Sequence, residues 1–118
     1  MVIRRGQIWW VDFGPPRGAS PGYERPAVVI QSDVFNKTDI DSVIVAIVTT
    51  NLRLSRMPGN VSVESGFGGL KEDSVINITQ LFTLDKSDLL ELLGTLPRST
   101  VEQVNKGLRL VLSIENRE

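Results

Sequence analysis

The 118-residue chain contains neither histidine nor cysteine. Without imidazole or thiolate it cannot build a disulfide framework, a Cys/His zinc site, a Ser-His-Asp or Cys-His nucleophile system, or a paired-histidine ribonuclease site. Any catalysis must run on Arg, Lys, Asp, Glu, Ser, Thr, Tyr or backbone amides. Long apolar runs are also missing. The longest, Val43 to Val48, is far short of the roughly 20 residues needed to span a bilayer. The N-terminal Met-Val-Ile-Arg-Arg-Gly has no apolar stretch after its arginines, so no secretory signal is expected. The expectation is a cytoplasmic protein without membrane contact.

No repeat, low-complexity tract or linker divides the chain, and its length suits one domain over residues 1–118. Apolar residues make up 41% and charged residues 23%, a balance that suits a globular chain with a core. The net charge of −1 argues against a general nucleic-acid coat protein. The distribution is uneven, however. Residues 1–56 hold seven basic and five acidic side chains, and six of those basic residues are arginine, which suits bidentate phosphate contact. Scattered solvated charge is the competing reading.

Gln7 to Phe13 (QIWWVDF) is aromatic and β-branched and is closed by Gly14-Pro15-Pro16, so it predicts a strand and a turn. The segment from Pro15 to Pro26 reads as a long loop, a place where function often resides. Pro26 to Gln31 predicts a strand, and Ser32 to Lys37 a helical turn capped by Ser32 or Asp33. Val43 to Thr50 (VIVAIVTT) has the pattern of a strand buried on both faces. A polar, basic loop follows over Asn51 to Asn60. Short strands are expected at Val61 to Glu64, Ser74 to Ile78 and Gln80 to Leu84, with a glycine-rich turn at Gly66 to Gly69.

Ser87 to Leu93 predicts a short helix stopped by Gly94 and Pro97. A second helix is expected from Ser99, with Ser99 and Glu102 as a capping box and an apolar stripe of Val101, Val104, Leu108 and Leu112. Gly107 should weaken that helix by roughly 1 kcal/mol relative to alanine. An antiparallel sheet with a C-terminal helix fits this order.

Two polar clusters interrupt the apolar strands: Arg17, Ser20, Tyr23, Glu24 and Arg25, and then Thr49, Thr50 and Asn51. Arg25 could simply pair with Glu24 at a strand edge, and paired threonines often end strands. The functional reading brings a guanidinium beside a hydroxyl beneath a glycine-containing loop. Such a pair suits phosphoryl chemistry on RNA, where the substrate's own 2′-hydroxyl attacks and the protein need only neutralise the phosphorane and help move protons. A guanidinium is a charge clamp and a weak acid but a poor base. Trp9 and Trp10 are adjacent and so face opposite sides of their strand, one for the core and one for core, dimer packing or base stacking.

Six segments carry a resemblance: RRGQIWWVDF (Arg4 to Phe13), RPAVVIQSDVFN (Arg25 to Asn36), VIVAIVTTNLRL (Val43 to Leu54), PGNV (Pro58 to Val61), DSVINITQLFTLDK (Asp73 to Lys86) and GLRLVL (Gly107 to Leu112). In this order they resemble the MazF/PemK toxin family over almost the whole chain. The resemblance implies a mainly β fold with α, a compact SH3-like antiparallel β-barrel with a C-terminal helix, shared with gyrase-poisoning toxins. It also implies a homodimer that cleaves single-stranded RNA sequence-specifically without cofactor or metal, leaving a cyclic phosphate or 3′-phosphate and a 5′-hydroxyl. A cognate antitoxin would place its C-terminal segment in the RNA groove, and DNA would be reached only through that antitoxin. The catalytic arginine of the family falls on Arg25 and its catalytic threonine on Thr49. Asn77 and Gln80 fall in the groove-lining motif, and Arg53 and Arg56 are placed to track the RNA backbone.

One departure concerns proton transfer. Ser20 stands in the loop where many members carry a carboxylate, and Glu24 is the nearby acid that could compensate. A gyrase-poisoning toxin of the same fold, or an inactive toxin acting only through its antitoxin, are the alternatives.

Overall fold

In the computed structural model, residues 2–16, 18 and 23–114 are described, so Arg17 and Ser20 lie outside the described residues. The strands are β1 (Gln7–Asp12), β2 (Glu24–Val29), β3 (Ser42–Thr49), β4 (Val61–Val63), β5 (Ser74–Asp85) and β6 (Leu89–Thr95), with helices α1 (Asp33–Asn36) and α2 (Arg98–Val111). All six strands pair antiparallel in one sheet of order β4-β5-β3-β2-β1-β6. The mainly β fold with a C-terminal helix is as expected. The barrel is a curled sheet in which β4 and β6 are edges. The curl brings the Gly68-Gly69 turn against β6, where a Cβ on Gly69 would overlap the Leu93 carbonyl oxygen. Gly69 also has φ +77, so glycine is required there on both counts.

Both faces of the sheet are buried. Ile8, Val28, Ala46, Val48, Ile76 and Ile78 form one core with Val104 of α2. Trp9, Val11, Ala27, Val29, Val43, Val45 and Leu89 form the other. The central strand β3 serves both cores, and its unbroken apolar run follows from that position. Each such aliphatic side chain contributes roughly 1.5–3 kcal/mol by leaving water.

Between β2 and β3, the Ser32 hydroxyl caps α1 by accepting from the Val34 amide, as the sequence indicated. Asp33 Oδ1 accepts from the Arg5 amide at 2.8 Å and from Asn36 Nδ2 at 3.0 Å. Donation by the Asn36 side chain, followed by that of the Arg5 backbone, lowers the Asp33 pKa from its ordinary value. Arg5 Nε in turn donates to the Ile30 carbonyl at 2.8 Å, so this network ties the N-terminus to the end of β2.

Three local expectations are corrected. Ser87 to Leu93 is not a helix: a 3₁₀ turn at Lys86–Asp88 leads into β6, which pairs with β1 through Trp9↔Leu92 and Val11↔Leu89. Here tertiary pairing overrides the helical propensity of a leucine-rich stretch. The two strands expected between Ser74 and Leu84 are one strand, β5, with a register shift opposite Ala46 and Ile47. The capping box at Ser99 does not form. Helix α2 starts at Arg98 with Pro97 as its cap, so Ser99 already lies inside the first turn.

Candidate active site at the strand ends

The β2–β3 ladder pairs Ala27 with Ile47, Val28 with Ala46 and Val29 with Val45. Extending this register by two residues sets Arg25 opposite Thr49, on the face shared by Ala27 and Ile47. Pro26 has no N–H, and the recorded pairing stops one residue inside it. The guanidinium and hydroxyl therefore stand where two strands run out, and both residues are half-buried. The Thr49 oxygen accepts from the Asn51 amide at 3.1 Å, a bond that does not use the hydroxyl's own proton.

The neighbouring strand completes this face. Asn77 of β5 pairs with Ile47 and is buried, while Thr49 pairs with Val75. Asn77 Nδ2 donates to Gln80 Oε1 at 2.9 Å, and Thr79 Oγ1 donates to Asn77 Oδ1 at 2.9 Å. The irregularity in β5 follows directly after Asn77, and it lets Gln80 fold back onto this amide. Arg25, Thr49, Asn77 and Gln80 thus come from three adjacent strands to one end of the sheet.

The basic loop is organised from both ends. Asn51 Oδ1 accepts from the Arg53 amide at 3.3 Å and caps a 3₁₀ turn over Leu52–Arg56 that exposes Arg53 and Arg56. Asn60 Nδ2 donates to the Leu54 carbonyl at 2.8 Å, and its Oδ1 accepts from the Ile78 amide at 2.9 Å. Asn60 therefore clamps the loop to β5 beside Asn77. Only its place after Pro58-Gly59 hinted at this role. Gly59 in turn lies against Gly107 of α2, where a Cβ on Gly107 would overlap the Gly59 carbonyl oxygen.

The remaining residues separate. Tyr23 is exposed with φ 58, and its amide donates to the Gly14 carbonyl. Glu24, next to Arg25 on a strand, points to the opposite face, where Trp10 Nε1 donates to its Oε1 at 2.6 Å. It is therefore turned away from Arg25 and Thr49. Trp9 is buried with its Nε1 on Gln7 Oε1 at 3.0 Å, and Trp10 is half-buried. Thr50 is exposed and borders a cavity with Trp10, Pro26, Lys71, Glu72 and Glu91. Sequence reasoning missed these last three residues, because the β6 position of Glu91 was hidden behind an expected helix.

A cluster of hydrogen-bond donors around one guanidinium at open strand ends can hold a phosphodiester and stabilise charge that develops on it. Residues 4–112 match the family described as PemK-like, MazF-like toxin of type II toxin-antitoxin system. The chain is 45% identical over 114 residues to a protein named Endoribonuclease MazF2 from Mycobacterium bovis, with 97% of this chain and 100% of that one covered. It is 30% identical to Endoribonuclease EndoA from Bacillus subtilis over 97% of each chain. Its fold is similar to a crystal structure of MazF from Deinococcus radiodurans, with TM-score 0.80, 23% identity and 97% and 99% of the two chains covered. It is equally similar, at TM-score 0.80 and 23% identity over 98% and 99% of the chains, to an endoribonuclease in complex with its cognate antitoxin from a Mycobacterial species.

Proposed function

The chain belongs to the PemK-like, MazF-like toxin family of type II toxin–antitoxin systems and is an endoribonuclease, and we propose that it cuts single-stranded RNA through the RNA's own 2′-hydroxyl. The observation that supports this reading is the β2–β3 register, whose pairs end at Ala27↔Ile47 and which, carried two residues further, puts Arg25 opposite Thr49 on one face. The 2′-oxygen attacks phosphorus, the bond to the 5′-oxygen breaks, and a 2′,3′-cyclic phosphate and a 5′-hydroxyl are left. Because the substrate supplies its nucleophile, the scheme requires no metal-activated water.

In this reading Arg25 neutralises charge on the phosphorane and lends a proton to the departing 5′-oxygen, then regains one from solvent. The Thr49 hydroxyl donates to a phosphate oxygen. Asn77 and Gln80 are groove residues for the RNA, together with Thr50, Asn51 and Tyr23, and Arg53 and Arg56 meet the backbone. Arg17 and Ser20, outside the described residues, complete the proposed set. None of Arg25, Thr49, Asn77 and Gln80 is a carboxylate, so the acceptor of the 2′-proton lies elsewhere.

The chain works in the cytoplasm as a homodimer and is silenced by an antitoxin whose C-terminal segment occupies the same groove; it meets DNA only through that antitoxin. The relatives' names favour the nuclease over a gyrase-poisoning role. Incubation with a long single-stranded RNA in EDTA is expected to give discrete fragments. Arg25→Ala should lower the rate by at least about 10²-fold, the usual cost of losing one oxyanion-stabilising group. Undiminished cleavage by a folded Arg25→Ala protein would overturn the assignment.

A further inference from the structure

On the side of β2 and β3 away from Arg25, a cavity of about 400 Å³ opens between Trp10, Pro26, Thr50, Lys71, Glu72 and Glu91. We propose that this cavity holds one unpaired nucleobase of the RNA whose phosphate lies at Arg25 and Thr49, and that it prefers a base with an exocyclic amino group over uracil. The proposal rests on the RNA-cleaving reading and names how that site selects sequence.

Position is the first argument. Pro26 follows Arg25 and Thr50 follows Thr49, so the cavity rim begins one residue from the phosphate-binding pair on both strands. An RNA chain crossing these strand ends meets the guanidinium on one side and the cavity on the other. The volume lies in the usual small-ligand range of roughly 300–1,000 Å³.

The walls supply the second. Trp10 pairs with Pro26 on β2 and with Glu91 on β6. Its single N–H is committed to Glu24 at 2.6 Å, which orients the indole and leaves its π surface for a ligand. Stacking a base on such a ring tolerates any base and supplies affinity without choosing sequence.

Charge supplies the third. Two carboxylates, Glu72 and Glu91, face one ammonium, Lys71, so the cavity repels a phosphate or an acidic peptide. A neutral heterocycle is not repelled. A carboxylate accepts from an exocyclic amine such as cytosine N4, and Lys71 can donate to a ring acceptor on the same base. Uracil offers one N–H between two carbonyls and satisfies this set less well. The phosphates go instead to Arg25, Arg53 and Arg56.

The test is binding of uncleavable, 5′-fluorescein-labelled 2′-O-methyl oligoribonucleotides of cytidine, adenosine or uridine, read by fluorescence anisotropy in the wild type and every variant, with tryptophan fluorescence as a second readout in the proteins that keep Trp10. Trp9 is buried, so quenching reports Trp10. The wild type should bind the cytidine and adenosine oligomers more tightly than the uridine one. Trp10→Ala should weaken binding roughly 5- to 150-fold, the range for losing one stacked base, and Trp10→Phe should restore most of it. Glu72→Gln combined with Glu91→Gln should shrink the cytidine-to-uridine ratio without loss of fold, because both side chains are exposed. An unchanged affinity in a folded Trp10→Ala protein overturns the proposal. Where Trp10→Ala misfolds, an unchanged ratio in the double variant overturns it, as does quenching by a synthetic acidic peptide and not by RNA. Binding needs no cleavage, so a chain that binds as described but leaves natural RNA intact refutes the nuclease reading alone. A chain that cuts RNA but ignores all these substitutions refutes the cavity alone.

Discussion

Replacing Gly107 by alanine should destabilise the protein even though it favours the helix. In isolation the change helps α2 by about 1 kcal/mol. In the fold, Gly107 is buried against the loop that carries the basic turn. The new methyl would overlap the Gly59 carbonyl oxygen and lie 3.1 Å from the Gly59 carbonyl carbon and 3.2 Å from Ile78 Cγ1. Two of these three atoms are backbone, so no side chain can simply swing aside. Over-packing of this kind costs about 1–3 kcal/mol, and a backbone obstacle belongs in the upper half of that range.

After the helical gain is subtracted, a loss of about 1–2 kcal/mol remains. For a chain of this length that is a fall of about 3–10 °C in Tm. Differential scanning calorimetry at one fixed protein concentration measures it, with Lys106→Ala on the exposed face as a control that should barely move. The displaced Gly59 precedes Asn60, whose amide holds both Leu54 and Ile78, so RNA cleavage should fall as well. A raised Tm would refute the reasoning, because only the helix propensity would then have counted.

Other outcomes follow from the same contacts. Gly69→Ala combines a forbidden overlap with Leu93 and a φ of +77, and should cost at least about 2 kcal/mol in urea unfolding. Thr49→Val keeps the shape of the strand end but removes the hydroxyl, and should lower kcat about 10- to 10³-fold with little change in Tm. Asp33 has its folded pKa lowered by Asn36 and Arg5, so its stabilising effect is full above the unfolded value near 3.8 and is lost as pH falls through the lower folded value. Asp33→Asn should therefore melt below the wild type at neutral pH, with the gap closing in melts run below about pH 4. A gap that stays constant across that range would remove the carboxylate from the network.

Much of this fold is legible in the chain because its strands have local boundaries. QIWWVD ends just before a Gly-Pro-Pro turn, and VIVAIV is apolar throughout because β3 has a core on each face. The C-terminal half resists such reading. The leucines of β6 carry helical propensity, and only the partner strand β1 makes them extended. The continuity of β5 through its irregularity depends likewise on β3, which pairs with it on both sides. At the site, Arg25 and Thr49 stand out as polar residues at strand ends, but their shared face is a matter of register. The opposite facing of Glu24 follows from simple alternation once β2 is placed. The cavity beside them was hidden because Lys71 and Glu72 lie far in sequence from Trp10, Pro26 and Glu91.

The central claim is that the RNA attacks itself while Arg25 and Thr49 stabilise the charge. It is tested most directly by cutting an RNA of defined sequence and a twin that lacks one 2′-oxygen at the cleavage position. The account predicts 5′-hydroxyl and 2′,3′-cyclic phosphate ends from the first and no cut at that position in the second. Cleavage of the 2′-deoxy twin at the same bond, or 5′-phosphate ends from either RNA, would contradict it.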